Sequence, residues 1–183
     1  LTSWKGQQVL IDAACRPPLR ERADVVFILA GDDQGRSGYR RQLQILIDER
    51  QAGNRVRIVG HCADVAAALA LADVSVVAST SPEAFGRAAV ESQALGVPVV
   101  VTALGAVPET VLAPPKVDPD KRTGWHVPAG DADALGSAID HALSLDPAEK
   151  QAMAARAAAQ AAEFSLTAMT DQTLALYRAL AGS

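Results

Sequence analysis

The sequence predicts an α/β fold, a doubly wound parallel sheet with helices on both faces, and three observations predict it. Residues 24–31, 74–78 and 97–102 are short, nearly continuous apolar runs rich in valine, the pattern of strands buried on both faces. The stretches between them carry helical periodicity, most clearly residues 37–51, where Tyr39, Leu43 and Leu46 or Ile47 fall on one face. Residues 79–91 join a strand to a helix through a turn of serine, proline and glycine, and open parallel sheets bind ligands at such turns, off the carboxyl ends of the strands.

The elements follow in order. Residues 8–14 read as a helix ended by Pro17-Pro18, because the residue before a proline is pushed out of the α region. The strand 24–31 leads into Asp32-Asp33-Gln34-Gly35, a polar turn; two adjacent carboxylates do not by themselves form a metal cage. Helix 37–51 is followed by a turn at Gly53-Asn54 and a strand at 56–60. Asp64 caps a helix at 64–72. Strand 74–78 enters the 79–91 turn, helix 88–95 stops at Gly96, and strand 97–102 follows. Residues 113–121 carry four charges and three prolines and read as a solvated loop. A short strand and turn occupy 123–131, and helices are expected at 132–145, 147–163 and 166–180. Phe164, Met169, Leu176 and Tyr177 are read as packing residues rather than a cofactor box.

The chemistry concentrates in the central turn. Pro82 suits a turn or a first helical position, where a missing N–H costs nothing. Gly86 lets a ligand approach the backbone closely. The amides of Phe85, Gly86 and Arg87 have no helical partner and point out of the helix start, ready to receive a phosphate beside the Arg87 charge. Glu83 and Glu91, eight positions apart, are acceptor-only groups on either side. Hydroxyls at both ends and phosphate between them is the layout of a nucleotide sugar.

Glu83-Ala84-Phe85-Gly86 with Glu91, followed by Gly96-Val97-Pro98-Val99-Val100, resembles the E-x7-E signature of the retaining group 1 glycosyltransferases of the GT-B fold. The resemblance implies that this chain is the Rossmann-like, donor-binding half of such an enzyme, a single domain over residues 1–183. It assigns the transferred hexose to Glu83, as catalytic residue, and the ribose to Glu91. The donor phosphates fall to the Ala84-Phe85-Gly86-Arg87 backbone and to Lys5, and the base to Gly60 and His61. Gly105-Ala106-Val107-Pro108-Glu109 resembles a family turn in which Ala106 replaces a commoner glycine. Residues 1–13 resemble the segment that follows the first strand of this half. The expectation is therefore a fragment lacking that strand, with the place of a central strand unfilled and the acceptor-binding N-terminal half absent. The family transfers sugars from UDP-, GDP- or ADP-linked donors without a metal or other cofactor, often in cell-envelope polysaccharide or lipopolysaccharide synthesis. The isolated fragment is expected to bind donor without turnover. A UDP-sugar 2-epimerase-like isomerase and a non-catalytic nucleotide-sugar-binding module are the alternatives.

Composition excludes other classes. A net charge of −4 with no basic cluster interleaved with aromatics argues against nucleic acid. There is no apolar run of the roughly 18 residues a membrane helix needs. Two cysteines, Cys15 and Cys62, read as reduced thiols of a cytoplasmic protein, with peripheral association at the inner membrane face left to the other half. Asp118-x-Asp120 and Asp131-x-Asp133 match a metal-binding motif by accident, one in the proline loop and one at a helix cap. His61-Cys62, His126 and His141 show no ligand spacing, and neither a G-x-S-x-G turn, a P-loop nor H-E-x-x-H occurs.

Overall fold

The computed structural model describes residues 1–33, 35 and 37–181; Gln34 of the expected polar turn lies outside the described residues. The described strands are β1 (Phe27–Ala30), β2 (Val56–Gly60), β3 (Ser75–Val77), β4 (Val99–Thr102) and β5 (Trp125–Val127). The described α-helices are α1 (Gln7–Ala14), α2 (Ser37–Glu49), α3 (Val65–Ala70), α4 (Arg87–Ala94), α5 (Val107–Thr110), α6 (Ala132–Leu143), α7 (Pro147–Ala162) and α8 (Leu166–Ala181). Every expected strand is present; that at 56–60 keeps its full length and the others are trimmed at their ends. The run 24–31 is a strand only over Phe27–Ala30, and 97–102 only over Val99–Thr102, where Pro98 accepts through its carbonyl but has no N–H to donate. Helix α5 falls in a stretch read from sequence only as a turn.

All pairings are parallel, but they form two sheets, β1-β2 and β3-β4-β5, rather than one. Residues 1–6 run between the carboxyl ends of β1 and β3. The Leu1 amino group donates to the Asp32 carbonyl, and the Thr80 amide donates to the Trp4 carbonyl at 2.7 Å.

Both faces of β4 are buried, and its alternation divides the interior. Val100 points into the larger core with Ile11, Leu43, Ile47, Leu135 and Ile139 from α1, α2 and α6. Val99 and Val101 point the other way, toward Val77, Ala89, Val107 and Val111 from β3, α4, α5 and the residue after it. This is the doubly wound arrangement in a single strand. Leu43 and Ile47 of α2 are fully buried, each contributing about 1.5–3 kcal/mol of burial free energy. Tyr39 on the same face donates from its hydroxyl to Gln7 Oε1 at 3.0 Å.

Helix starts follow the expected chemistry. Asp64 accepts from the Ala67 amide at 2.9 Å, and Asp131 from those of Asp133 and Ala134. Asp146 and Glu149 cap α7 reciprocally. Of the four residues read as packing residues, Phe164 stacks edge-on with Phe85, while α8 buries no described residue and Met169, Leu176 and Tyr177 are exposed. Periodicity marks an apolar face but not what covers it. Cys15 and Cys62 are free thiols, both partly buried. No helix among the described residues is long and apolar enough to cross a membrane.

His126 on β5 is half-buried, with Nε2 2.8 Å from the Val111 carbonyl, and burial holds its pKa below the usual value. The folded state therefore favours the neutral ring. Between the folded and the ordinary histidine pKa the unfolded chain binds more protons, so stability is full above the ordinary value and falls as the pH drops through that window. Thermal melts across pH 7.5 to 5 should show a fall in Tm for the native chain, and a smaller one for His126→Gln.

Candidate functional site

Between β3 and α4 the chain makes the turn that the sequence singles out. Ser79 is 1% exposed, and its carbonyl accepts from Thr102 Oγ1 at 2.7 Å, which ties the turn to the carboxyl end of β4. Four residues on, Glu83 pairs as an isolated parallel bridge with Gly105, and its carbonyl accepts from the Ala106 amide at 3.0 Å. Gly105 has a φ of +62°, and a Cβ there would lie 2.3 Å from the Glu83 oxygen, so only glycine fits. Ala106 has a right-handed helical backbone, which alanine adopts without strain. Its amide is taken by Glu83, so the alanine in place of the commoner glycine removes no contact that this turn offers.

The Glu83 side chain is only 9% exposed. Its Oε1 receives Lys5 Nζ at 2.7 Å and the Ser79 hydroxyl, while Oε2 has no protein donor among the described residues. Lys5 comes from the first turn of the chain and stands 4.2 Å from the centre of the Trp4 ring. The resemblance places this lysine on donor phosphates; here it is paired with the carboxylate at the cavity edge.

Helix α4 begins at Arg87, so Pro82 belongs to the turn and not to the first helical position. Gly86 precedes it in the left-handed region at φ +80°, no side chain caps the helix, and the first amides are left pointing outward. A Cβ on Gly86 would come within 2.9 Å of Val107 Cγ2, so the helix start can lie against α5 only without a side chain. Gln93, fully buried, donates to the Thr110 carbonyl at 2.9 Å and fastens α4 to α5. Arg87 and Glu91 form an exposed i,i+4 pair at 3.5 Å, worth about 0.3–0.5 kcal/mol, weak enough for either group to be recruited by a ligand.

These residues line an open cavity of about 430 Å³, with Lys5, Glu83, Ala84, Phe85, Gly86, Arg87, Ala88 and Glu91 on its walls. That volume is within the roughly 300–1,000 Å³ of small-molecule sites. Seven of the nine residues expected from sequence line it. Gly60 and His61 do not: they lie at the carboxyl end of β2, where the Gly60 carbonyl accepts from Gly31 at 2.7 Å. Sequence reasoning missed Ser79 and Ala88. Ser79 carried the only available signal, a hydroxyl at a strand end one helical turn before an acid.

A second cavity of the same volume, around Cys15, Arg20, Arg50 and Arg55, has a structural explanation. Arg50 is paired with Asp12, and Arg55 donates to the carbonyls of Leu19, Arg20 and Arg22. Burial pushes the Cys15 thiol up, toward the unreactive protonated form. No group of three potential metal ligands occurs among the described residues. Asp131 is a helix cap and Asp118 pairs with Lys121 at 3.0 Å, as the accidental reading of both Asp-x-Asp motifs implies.

Residues 1–161 match the family model described as glycosyl transferases group 1. Over 97% of the chain, the sequence is 36% identical to a D-inositol 3-phosphate glycosyltransferase of Mycobacterium tuberculosis, and it spans 35% of that protein's length. The fold superimposes on a crystal structure of a glycosyltransferase from Rickettsia africae with a TM-score of 0.86 and 29% identity, covering 97% of this chain and 45% of that one. It superimposes on Anabaena HepE, crystallised in complex with UDP and with UDP-glucose, with a TM-score of 0.83 and 30% identity, covering 98% and 46%. With the family model matched over residues 1–161 and a relative 36% identical over nearly its whole length, the chain belongs to the group 1 glycosyltransferases, whose GT-B Rossmann-like domain it adopts.

Proposed function

We propose that these 183 residues bind a UDP-hexose as the donor half of a retaining hexosyltransferase, with GDP- and ADP-sugars as competing choices. The observation that carries this reading is an open cavity in which two carboxylates flank an uncapped helix start. Glu83 Oε2 is oriented to accept from hydroxyls of the transferred sugar, and Glu91 from those of the ribose. The amides at Phe85, Gly86 and Arg87, with Lys5 and the Arg87 side chain, supply positive potential to the diphosphate in the place of a metal ion. Gly60 and His61 are assigned the base, from the neighbouring strand end. HepE, which binds UDP and UDP-glucose, supports the choice of nucleotide.

The chain spans about a third to a half of the relatives it matches, so the acceptor is assigned to a companion N-terminal half, with any peripheral membrane contact. Two acceptor classes follow: a cell-envelope glycan, from the family resemblance, and a small phosphorylated polyol, from the name of the mycobacterial relatives. On this division the domain alone binds donor but does not turn over. Product analysis with the companion half present distinguishes the possibilities: a glycoside supports the transferase, an epimerised donor an isomerase, and neither product a binding module.

A thermal-shift panel of UDP, GDP, ADP and their glucose conjugates should give its largest rise with the UDP pair; no shift with any of the six would overturn the reading. Glu91→Ala should weaken UDP by about 1–3 kcal/mol, the scale of an unmade ligand hydrogen bond. Equal UDP affinity by calorimetry would reject the ribose role. Glu83→Ala should leave UDP affinity intact and remove the increment that glucose adds.

A further inference from the structure

We propose that Ser79 is a positioning residue that fixes which oxygen of Glu83 faces the sugar. The inference rests on the reading of Glu83 given above. A glutamate carboxylate turns freely, because its last torsion is broad and roughly two-fold. Two donors converge on Oε1 here, the Lys5 ammonium and the Ser79 hydroxyl, and Oε2 of this cavity-lining residue has no protein donor among the described residues.

The two donors differ in stiffness. Lys5 sits on a flexible four-carbon stem with 38% of its side chain exposed, so it supplies charge without fixing an angle. Ser79 has one side-chain torsion, is 1% exposed and lies two residues beyond β3, with its backbone held by Thr102. Nor does the fold need its hydroxyl. The strand-end tie uses the Ser79 carbonyl, and Glu83 Oε1 is the one hydrogen-bond partner of Oγ among the described residues. A buried hydroxyl is unfavourable unless bonded, and alanine would fill the same space. The hydroxyl is therefore explained by the carboxylate it holds.

The test is a double-mutant cycle read with two probes, UDP and UDP-glucose, by calorimetry on the 183-residue chain. Ser79→Ala should leave the Kd for UDP within about twofold and weaken UDP-glucose roughly three- to tenfold, the net scale of one hydrogen bond. In the Glu83→Ala background the same substitution should change neither Kd, because the group it positions is gone. A purely structural role would weaken both probes in both backgrounds and lower Tm in parallel, and that result overturns the proposal. So does an unchanged UDP-glucose Kd in Ser79→Ala when Glu83→Ala weakens it; in that case the reading of Glu83 survives and the role of Ser79 does not. If Glu83→Ala itself leaves UDP-glucose binding unchanged, the reading of the site fails and the role of Ser79 falls with it.

Discussion

The site depends on one contact, the approach of the Glu83 backbone to Gly105. Two parallel strands, β3 and β4, end side by side, and the turns that leave them touch at a distance that excludes any side chain on residue 105. The bridge and the Ala106 amide fix where the chain stands when Glu83 is reached. Three residues later Gly86, in the left-handed region, lies against the Val107 side chain of α5, where an added Cβ would be 2.9 Å from Cγ2, so α4 starts from a defined place and direction. The open amides and both carboxylates take their positions from that clamp.

The clamp is rigid because of what lies under it. β4 is buried on both faces by two different sets of side chains, so neither turn can shift without disturbing a packed core. Charge is then added from a distance in sequence. Lys5 belongs to the segment that lies between the ends of β1 and β3, and reaches Glu83 across 78 positions. The lysine places its ammonium 2.7 Å from a carboxylate side chain that is only 9% exposed.

What the sequence made legible follows from the range of the interactions. The strands, the helix caps and the 79–91 turn were readable because their signals are local: valine runs, Asp64 and Asp131 before helical stretches, Pro82 and Gly86 at fixed offsets. So were seven cavity residues: five come from one contiguous turn and helix start, Glu91 lies one turn further on, and Lys5 comes from the start of the chain. What could not be read depends on long-range packing. That Ala106 donates to Glu83, that Lys5 pairs with Glu83, and that Ser79 turns its hydroxyl to the same oxygen are all consequences of where two strand ends meet. For α8 the sequence shows an apolar face and no more, since periodicity does not report whether anything covers it.

The two halves of the interior are unequally supported, and this bears on how the ends of a ligand would be held. The turn with Glu83 and Glu91 stands on β3-β4-β5, packed above and below. Gly60 and His61 stand on β1-β2, a separate two-stranded sheet with Val26, Ile28 and Val59 about half exposed on one face. A sheet covered on one side yields more easily than one covered on both, because fewer contacts oppose its displacement. In the reading proposed here, the sugar and diphosphate meet geometry fixed by close packing, whereas the base meets backbone groups on the less constrained sheet. Discrimination among sugars then belongs to the part of the fold least able to adjust. Discrimination among bases depends on how firmly β1-β2 is held beside β3, which the turn itself does not determine.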